Sequence, residues 1–303
     1  MMYRALCLAF GACCLLNPWH VFAQEQAADS DQQIGDFSLS GYGDQGKKAW
    51  ELQGKSADIF EEVVKLKDIT GNLYGKEENI KLTSDKGDFN KSEGKVHLEE
   101  NVVITTTGGA KLTTDSLDWD RKKQQVSTKD VVNIERENMT TTARGAFGET
   151  DLKKVNLEKD VTVELLPKEK GKPDDPMMKD KIVITCDGPL EIDYEKNFAV
   201  FRNNVKVDRD GSQIYCDVMN VYFLKKEDKK EDKPEAASAE QPMSNTSIDK
   251  LVCSGNVKIV RGENVSFSDE AIYSGIDKKI TLLGRPKLIM FSSEDLKNAS
   301  TGN

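Results

Sequence analysis

One short motif returns along this chain at a near-constant interval, and such repetition limits the fold more than any other feature of the sequence. The segments Glu100-Asn101-Val102-Val103-Ile104, Lys129-Asp130-Val131-Val132, Lys159-Asp160-Val161-Thr162-Val163, Asn203-Asn204-Val205-Lys206-Val207, Gly255-Asn256-Val257-Lys258-Ile259 and Gly284-Arg285-Pro286-Lys287-Leu288 share one pattern. In all but the last, where Arg285 precedes Pro286, an Asn or Asp precedes an apolar run. A weaker copy begins at Lys67-Asp68-Ile69, which brings the count to seven. A second column keeps the same register: Ser84-Asp85, Thr114-Asp115, Ala143-Arg144, Cys186-Asp187, Cys216-Asp217 and Ser268-Asp269. A period of about 30 residues is the size of one supersecondary unit, and such a unit cannot bury its apolar face without its neighbours.

Two steps of the repeat are long, and each holds a segment of different composition. Residues 166 to 180 are rich in Pro and Lys, and residues 225 to 247 carry the run Lys225-Lys226-Glu227-Asp228-Lys229-Lys230 followed by Ala, Ser, Glu and Pro. Both read as insertions, the second with the composition of a disordered linker. The expected organisation is therefore an N-terminal segment over 1–23, a linker over 24–35, β-repeats over 36–165, an inserted loop over 166–180, β-repeats over 181–224, a disordered insertion over 225–247, β-repeats over 248–292 and a tail over 293–303.

Inside each unit apolar and polar residues alternate, as in Val161-Thr162-Val163-Glu164-Leu165, which is the period of a strand with one buried face. Turn-forming residues recur at one place, in Asn90-Lys91-Ser92-Glu93-Gly94, Asp120-Arg121-Lys122-Lys123, Asp151-Leu152-Lys153-Lys154 and Asp277-Lys278-Lys279. Each unit then supplies two strands and two turns. The prediction is an all-β, elongated body of about 14 antiparallel strands, whose end strands leave backbone groups bare for another protein to pair with.

The N-terminus carries Arg4, an apolar run from Ala5 to Leu16, Pro18, and the small-x-small site Val21-Phe22-Ala23. This is the grammar of an export signal cleaved before Gln24, or else of an uncleaved inner-membrane anchor extended through Trp19 and Phe22. Either places the remainder in the periplasm. With a formal net charge of -9, the chain offers no basic stripe for nucleic acid. Cys7, Cys13 and Cys14 fall in the export segment, leaving Cys186, Cys216 and Cys253. The first two stand in the column of Ser84, Thr114, Ala143 and Ser268, and Cys253 stands with Leu98, Leu157 and Phe201, so core packing is expected, with a Cys186–Cys216 disulfide as the alternative.

Chemistry-bearing residues are scarce. His97 is the one histidine beyond the export segment and sits on the outward phase of a strand, while no zinc cluster, phosphate loop, nucleophile elbow or dinucleotide fingerprint occurs. Asp118 and Asp120 flank Trp119 and resemble a polysaccharide-cleaving carboxylate pair, yet their counterparts Asp88 and Asn90 around Phe89 make strand-end and turn roles the better reading. Phe89, Trp119, Phe147, Tyr222 and Tyr273 occupy a comparable position in several units. With the valine column, this row is read as core or as the lining of an apolar groove. No catalytic, metal or cofactor residue is assigned.

Two stretches resemble a known family. Asp36-Phe37-Ser38-Leu39-Ser40-Gly41, followed by Gly46 through Trp50-Glu51-Leu52 to Ala57, is similar to the opening of the LptC periplasmic domain. The units Leu112-Thr113-Thr114-Asp115-Ser116-Leu117-Asp118-Trp119-Asp120 and Ile184 through Asp187 and Leu190 to Tyr194 resemble the OstA-like repeats of LptA and LptC. The resemblance spans about residues 36 to 290, and the two insertions are additions to the usual pattern. It implies an open, twisted β-jellyroll that holds lipopolysaccharide and passes it along a bridge between the two membranes. It further implies edge-strand contacts with an inner-membrane ABC transporter and an LptA-like protein, and no enzymatic activity of its own. On that reading Val102, Val131, Val161, Val205, Val257, Trp119 and Tyr222 line the acyl groove. The competing expectations are a secreted β-solenoid acting on polysaccharide and a structural adhesin.

Overall fold

The computed structural model describes residues 31–43, 46–75, 79–136, 138–149, 153–166, 180–223 and 248–290. The export segment, the 225–247 insertion, most of the 166–180 insertion and the 293–303 tail lie outside the described residues. The strands are β1 (Gln32–Tyr42), β2 (Lys48–Ile59), β3 (Val63–Tyr74), β4 (Asn79–Asn90), β5 (Lys95–Thr106), β6 (Ala110–Asp120), β7 (Gln125–Arg136), β8 (Met139–Glu149) and β9 (Lys154–Leu165). They continue as β10 (Ile182–Cys186), β11 (Leu190–Asp193), β12 (Phe198–Arg209), β13 (Ser212–Phe223), β14 (Ile248–Arg261), β15 (Asn264–Ser274), β16 (Lys279–Leu283) and β17 (Lys287–Ile289).

All seventeen belong to one antiparallel sheet in which strands pair in sequence order, apart from β10 with β11 and β16 with β17. They fill fifteen places, because β10 with β11, and β16 with β17, are halves of interrupted strands that share one partner. No ladder joins β1 to β16 or β17, so the sheet is open. At about 4.8 Å per neighbour it runs for roughly 65 Å, against about 20 Å for a half-strand of six residues. The fold is an elongated, twisted, open β-jellyroll.

One boundary and the strand count differ from the sequence expectation. β1 begins at Gln32, inside the 24–35 stretch expected to be linker. It escaped the periodicity reading because Ile34 and Leu39 remain about 40% exposed, so pairing with β2 rather than apolar burial recruits it. β1 is also the place beyond the expected 14, and its Asp36-Phe37 is a further copy of the Asn/Asp motif, with Asp36 at φ 47° and Phe37 buried.

The motif marks a corner in the middle of the strands. Asp68, Asn101, Asp160, Asn204, Asn256 and Arg285 all have φ between 47° and 56°. Asn and Asp tolerate this left-handed conformation because their short polar side chains can bond locally, whereas most L-residues pay for the Cβ clash. The second sequence column sits directly across the corner. Asn101 Nδ2 donates to Asp85 Oδ2 at 2.6 Å, Asn256 Nδ2 donates to Asp217 Oδ2 at 2.9 Å, and Asn204 Nδ2 donates to Asp187. Gly255, at φ 77°, admits no side chain, since a Cβ there would run into the Asp217 carboxylate.

Corners at the same level of successive units fold the sheet over itself, so its two halves face one another. Trp50 lies near the start of β2 and Trp119 near the end of β6, four strand spacings apart, which on a flat sheet is roughly 19 Å. Their rings meet edge to face with centroids 6.2 Å apart. Contact of this kind requires the half-sheet carrying Trp50 to lie over the half-sheet carrying Trp119.

Turns close the far ends of the strands as the turn residues anticipate. Asn90 Oδ1 accepts from the Glu93 amide at 2.8 Å, Asp120 Oδ1 from the amides of Lys122 and Lys123 at 3.1 and 3.0 Å, and Asp193 Oδ1 from the Lys196 amide at 2.9 Å. Lysines then tie one turn to the preceding one: Lys91 Nζ donates to the carbonyls of Phe60 and Glu61 at 2.6 and 3.0 Å, and Lys122 Nζ to that of Ser92 at 2.9 Å.

The corner yields a direct stability test. Asn256→Val places a β-branched residue in the left-handed region and should destabilise the protein by about 1–2 kcal/mol, while Asn256→Gly should cost clearly less. Urea unfolding of the two variants beside the wild type makes the comparison, and equal losses would show that backbone conformation does not govern this position.

Candidate functional site

Folding the sheet at mid-strand sorts the apolar residues into a crease and a mouth. Next to the corner the side chains are sealed: Leu98, Val102, Val132, Leu157, Val161, Val205, Met219, Cys253 and Val257 are at most 1% exposed. Each such burial contributes roughly 1.5–3 kcal/mol, so the crease is the chief source of cohesion. Further from the corner, apolar side chains of the same inward phase are only partly covered. Trp50, Leu73, Ile80, Leu112, Ile134, Met139, Leu165, Ile214 and Ile259 lie on one half-sheet. Ile59, Phe89, Val126, Val155, Ile192, Phe223 and Leu282 lie on the other. Two apolar rows therefore face each other across the open side of the fold, from β2 to the last strands.

Of the residues assigned to the groove from sequence, Val102, Val161, Val205, Val257 and Trp119 point inward and are buried. Val131 and Tyr222 do not, each being 38% exposed on the outer face. Asp130 is absent from the left-handed set; it instead accepts from Ser116 Oγ at 2.6 Å, and its amide donates to Thr128 Oγ1 at 3.1 Å. The strand consequently keeps its alternation through Asp130, and Val132, fully buried, takes the place that alignment gave to Val131. Tyr222 lies one residue out of phase with Val221 and stacks on Phe198 with ring centroids 4.8 Å apart. Phe147 is likewise exposed, at 47%, so the aromatic row divides between the two faces of the sheet.

The core comprises two apolar clusters, one ending at Leu117 and Trp119, the other beginning at Val132. Between them the β6–β7 ladder is interrupted from Thr113 to Asp118, and side chains bridge the gap, with Thr114 and Thr128 hydroxyls 3.4 Å apart beside the Ser116–Asp130 bond.

Cys186, Cys216 and Cys253 are free and buried. Cys186 and Cys216 both flank Val205, on β10 and β13 either side of β12, whereas Cys216 is the thiol in contact with Cys253. The contact with Cys216, together with burial, pushes the Cys253 thiol up, and burial, aided by the charge of Asp187 and opposed by the backbone of Gly188 and Arg202, pushes up that of Cys186.

On the outer face His97 stands between two carboxylates, with Nδ1 2.6 Å from Asp118 Oδ1 and Nε2 3.0 Å from Glu99 Oε1. Burial alone would lower its pKa. The hydrogen bonds and charges of Asp118 and Glu99 outweigh that and hold it above the ordinary histidine value. Backbone amides, Lys123 first, hold the Asp120 carboxyl below its usual range. The two acids flanking Trp119 are thus engaged by a histidine and by a turn. Among the described residues no group of three or more His, Cys, Asp or Glu side chains is placed to hold a metal ion, and no helix is long and apolar enough to cross a membrane.

One cluster at the mouth escaped the sequence reading. The Arg121 guanidinium stacks over the Trp50 ring at 4.4 Å and near the Phe89 ring at 5.6 Å. Arg121 sits in a turn and Trp50 more than seventy residues earlier, so only the folding-over of the sheet brings them together.

Both open ends of the sheet carry exposed apolar residues beside bare backbone, Ile34 and Leu39 on β1 and Ile280 and Leu288 on the last strands.

Residues 4–165, more than half of the chain, match the family described as lipopolysaccharide-assembly, LptC-related. Residues 188–302 match the LptA/(LptD N-terminal domain) LPS transport protein family. The last strand of the first match, β9, pairs directly with β11, the first strand inside the second. No curated protein sequence matches the chain. Among solved structures it is similar to LptH of Pseudomonas aeruginosa, the LptA-homologous periplasmic component of a lipopolysaccharide transport device, at 10% identity over 60% of this chain and 95% of that one, with a TM-score of 0.31.

The His97 contacts set the sign of a pH effect. A group whose pKa is raised by folding contributes stability in full below its unfolded value, near 6.5, and loses it as pH rises through the folded value. His97→Gln should therefore destabilise the protein more at pH 5.5 than at pH 8.5 in thermal melts, and a pH-independent difference would show that the carboxylate contacts do not form. For the thiols, iodoacetamide should leave Cys186, Cys216 and Cys253 unmodified in the folded protein and alkylate all three in urea, as read by mass spectrometry.

Proposed function

The chain belongs to the lipopolysaccharide-assembly, LptC-related family, and from that membership we propose that it is a periplasmic, non-enzymatic carrier of lipopolysaccharide. Acyl chains would lie between the two half-exposed apolar rows, over a floor of Val102, Val161, Val205, Val257 and Trp119. The observation that carries this reading is the continuity of those rows. A site for one small molecule would need a closed pocket, whereas apolar rows that continue from strand to strand suit a lipid that enters at one end and leaves at the other.

The physics of holding follows from area. Each CH₂ withdrawn from water contributes roughly 0.8 kcal/mol, so a few acyl chains supply ample affinity without any charged pocket. Passage along the slot exchanges one apolar neighbour for another, so neighbouring positions differ little in free energy and the lipid is not trapped.

With β9 and β11 paired in one sheet, the chain would supply two successive lengths of conduit, one LptC-like and one LptA-like. The bare edges at β1 and at β16 and β17 would accept a strand from the transporter side and from the next bridge protein, and exposed Ile280 and Leu288 would add apolar contact to the second junction. The N-terminal segment would bring the chain to the periplasm, by cleavage or as an anchor.

Photocrosslinking tests the slot. With a photoreactive residue at Ile134 or Ile214 on the rows, lipopolysaccharide adducts should form, while the same residue at Val131 or Tyr222 on the outer face should give none. Adducts confined to the outer-face positions would overturn the assignment.

A further inference from the structure

We propose that Arg121 is the anchor of an anion subsite at the mouth of the slot, suited to a phosphate group carried by an amphiphile whose chains lie in the slot. The inference rests on the carrier reading above and adds to it a place for the headgroup.

Three observations on the same rim support it. First, Arg121 is held by rings and not by acids: Trp50 and Phe89 lie 4.4 and 5.6 Å from its guanidinium, and none of the carboxylates nearby pairs with it. Asp120 turns to backbone amides and to Lys123, and Glu93 binds Lys95 at 2.6 Å. A guanidinium stacked on aromatic faces is oriented, yet keeps its in-plane N–H donors for a planar or tetrahedral oxyanion, which it can grip with two bonds at once.

Second, the neighbouring cations are also left without carboxylate partners. Lys91 donates to the carbonyls of Phe60 and Glu61, and Lys122 to that of Ser92. Their dipolar partners fix these side chains without cancelling their charge. Arg121, Lys91 and Lys122 thus place three cations in turns that also carry Glu61, Glu93 and Asp120. Of these acids Glu93 is ion-paired with Lys95 and Asp120 with Lys123, while the three cations form no ion pair.

Third, the charge stands beside the apolar slot. Trp50 belongs to one facing row and Phe89 to the other, so Arg121 lies where both rows end in solvent. An amphiphile with its chains between the rows and a phosphate at their end would meet both surfaces together. Free phosphate would meet only the cation.

The experiment uses the exported full-length protein and measures binding of three probes at 0.15 M salt: short-chain phosphatidic acid, phosphatidylcholine with the same chains, and inorganic phosphate. The wild type should bind phosphatidic acid about tenfold more tightly than phosphatidylcholine, as a charge-assisted pair at a solvated rim implies. Inorganic phosphate should neither bind measurably nor compete at millimolar concentration. Arg121→Gln should abolish the preference and Arg121→Lys should restore only part of it, because an ammonium cannot grip two oxygens, while thermal melts confirm that both variants fold. Equal weakening of both lipids by Arg121→Gln would make Arg121 a structural clasp and overturn the subsite while leaving the carrier reading intact. Tight, Arg121-dependent binding of inorganic phosphate would overturn the lipid headgroup as the source of the anion. Failure of the wild type to bind either lipid would overturn the carrier reading and the subsite with it.

Discussion

The left-handed corner is the interaction on which the rest of this structure rests. A sheet of fifteen flat strands would leave one broad apolar face in water, and hydrophobic burial could not then hold it together. Placing Asn or Asp at φ near 50° in the middle of β1, β3, β5, β9, β12 and β14 turns that face inward on itself. At the asparagine corners the cost is offset locally, by a hydrogen bond to an acid of the preceding segment, as in Asn101 to Asp85 and Asn256 to Asp217. Because the corners stand at one level of the strands, they form one line along the molecule. The crease follows that line.

From the crease comes the stability of the fold. Sealed residues such as Leu98, Leu157 and Met219 lie close to the bend, where the two half-sheets are nearest. As the halves diverge, burial declines, and Ile134, Val155 and Ile214 are left half-covered. A protein that only needed to be stable would close this side with larger residues or with a helix. Here that side keeps two partly covered apolar rows, bridged where Trp50 meets Trp119 and Arg121.

Charge takes a subordinate part. Ion pairs such as Lys86 with Glu100 are exposed and contribute little each. The local exceptions stand where apolar and polar surfaces meet. His97 between Asp118 and Glu99 braces the outer face, and Arg121 between Trp50 and Phe89 marks the mouth.

Much of this was legible beforehand, and the remainder was not, for one reason. Periodicity of two, repeated turn residues and the two registered columns determined that the chain is all-β, that its units stack in sequence order, and that Ser84, Thr114, Cys186 and Cys216 occupy one buried column. These are local properties, set by side-chain alternation and by turn conformations that few residues adopt. That the two columns meet at a corner, that Val132 rather than Val131 faces inward, and that Trp50 reaches Trp119 and Arg121 were decided only in three dimensions. Alternation tells which residues share a face but not where a strand bends, and a bend joins residues whose separation in sequence carries no sign of it.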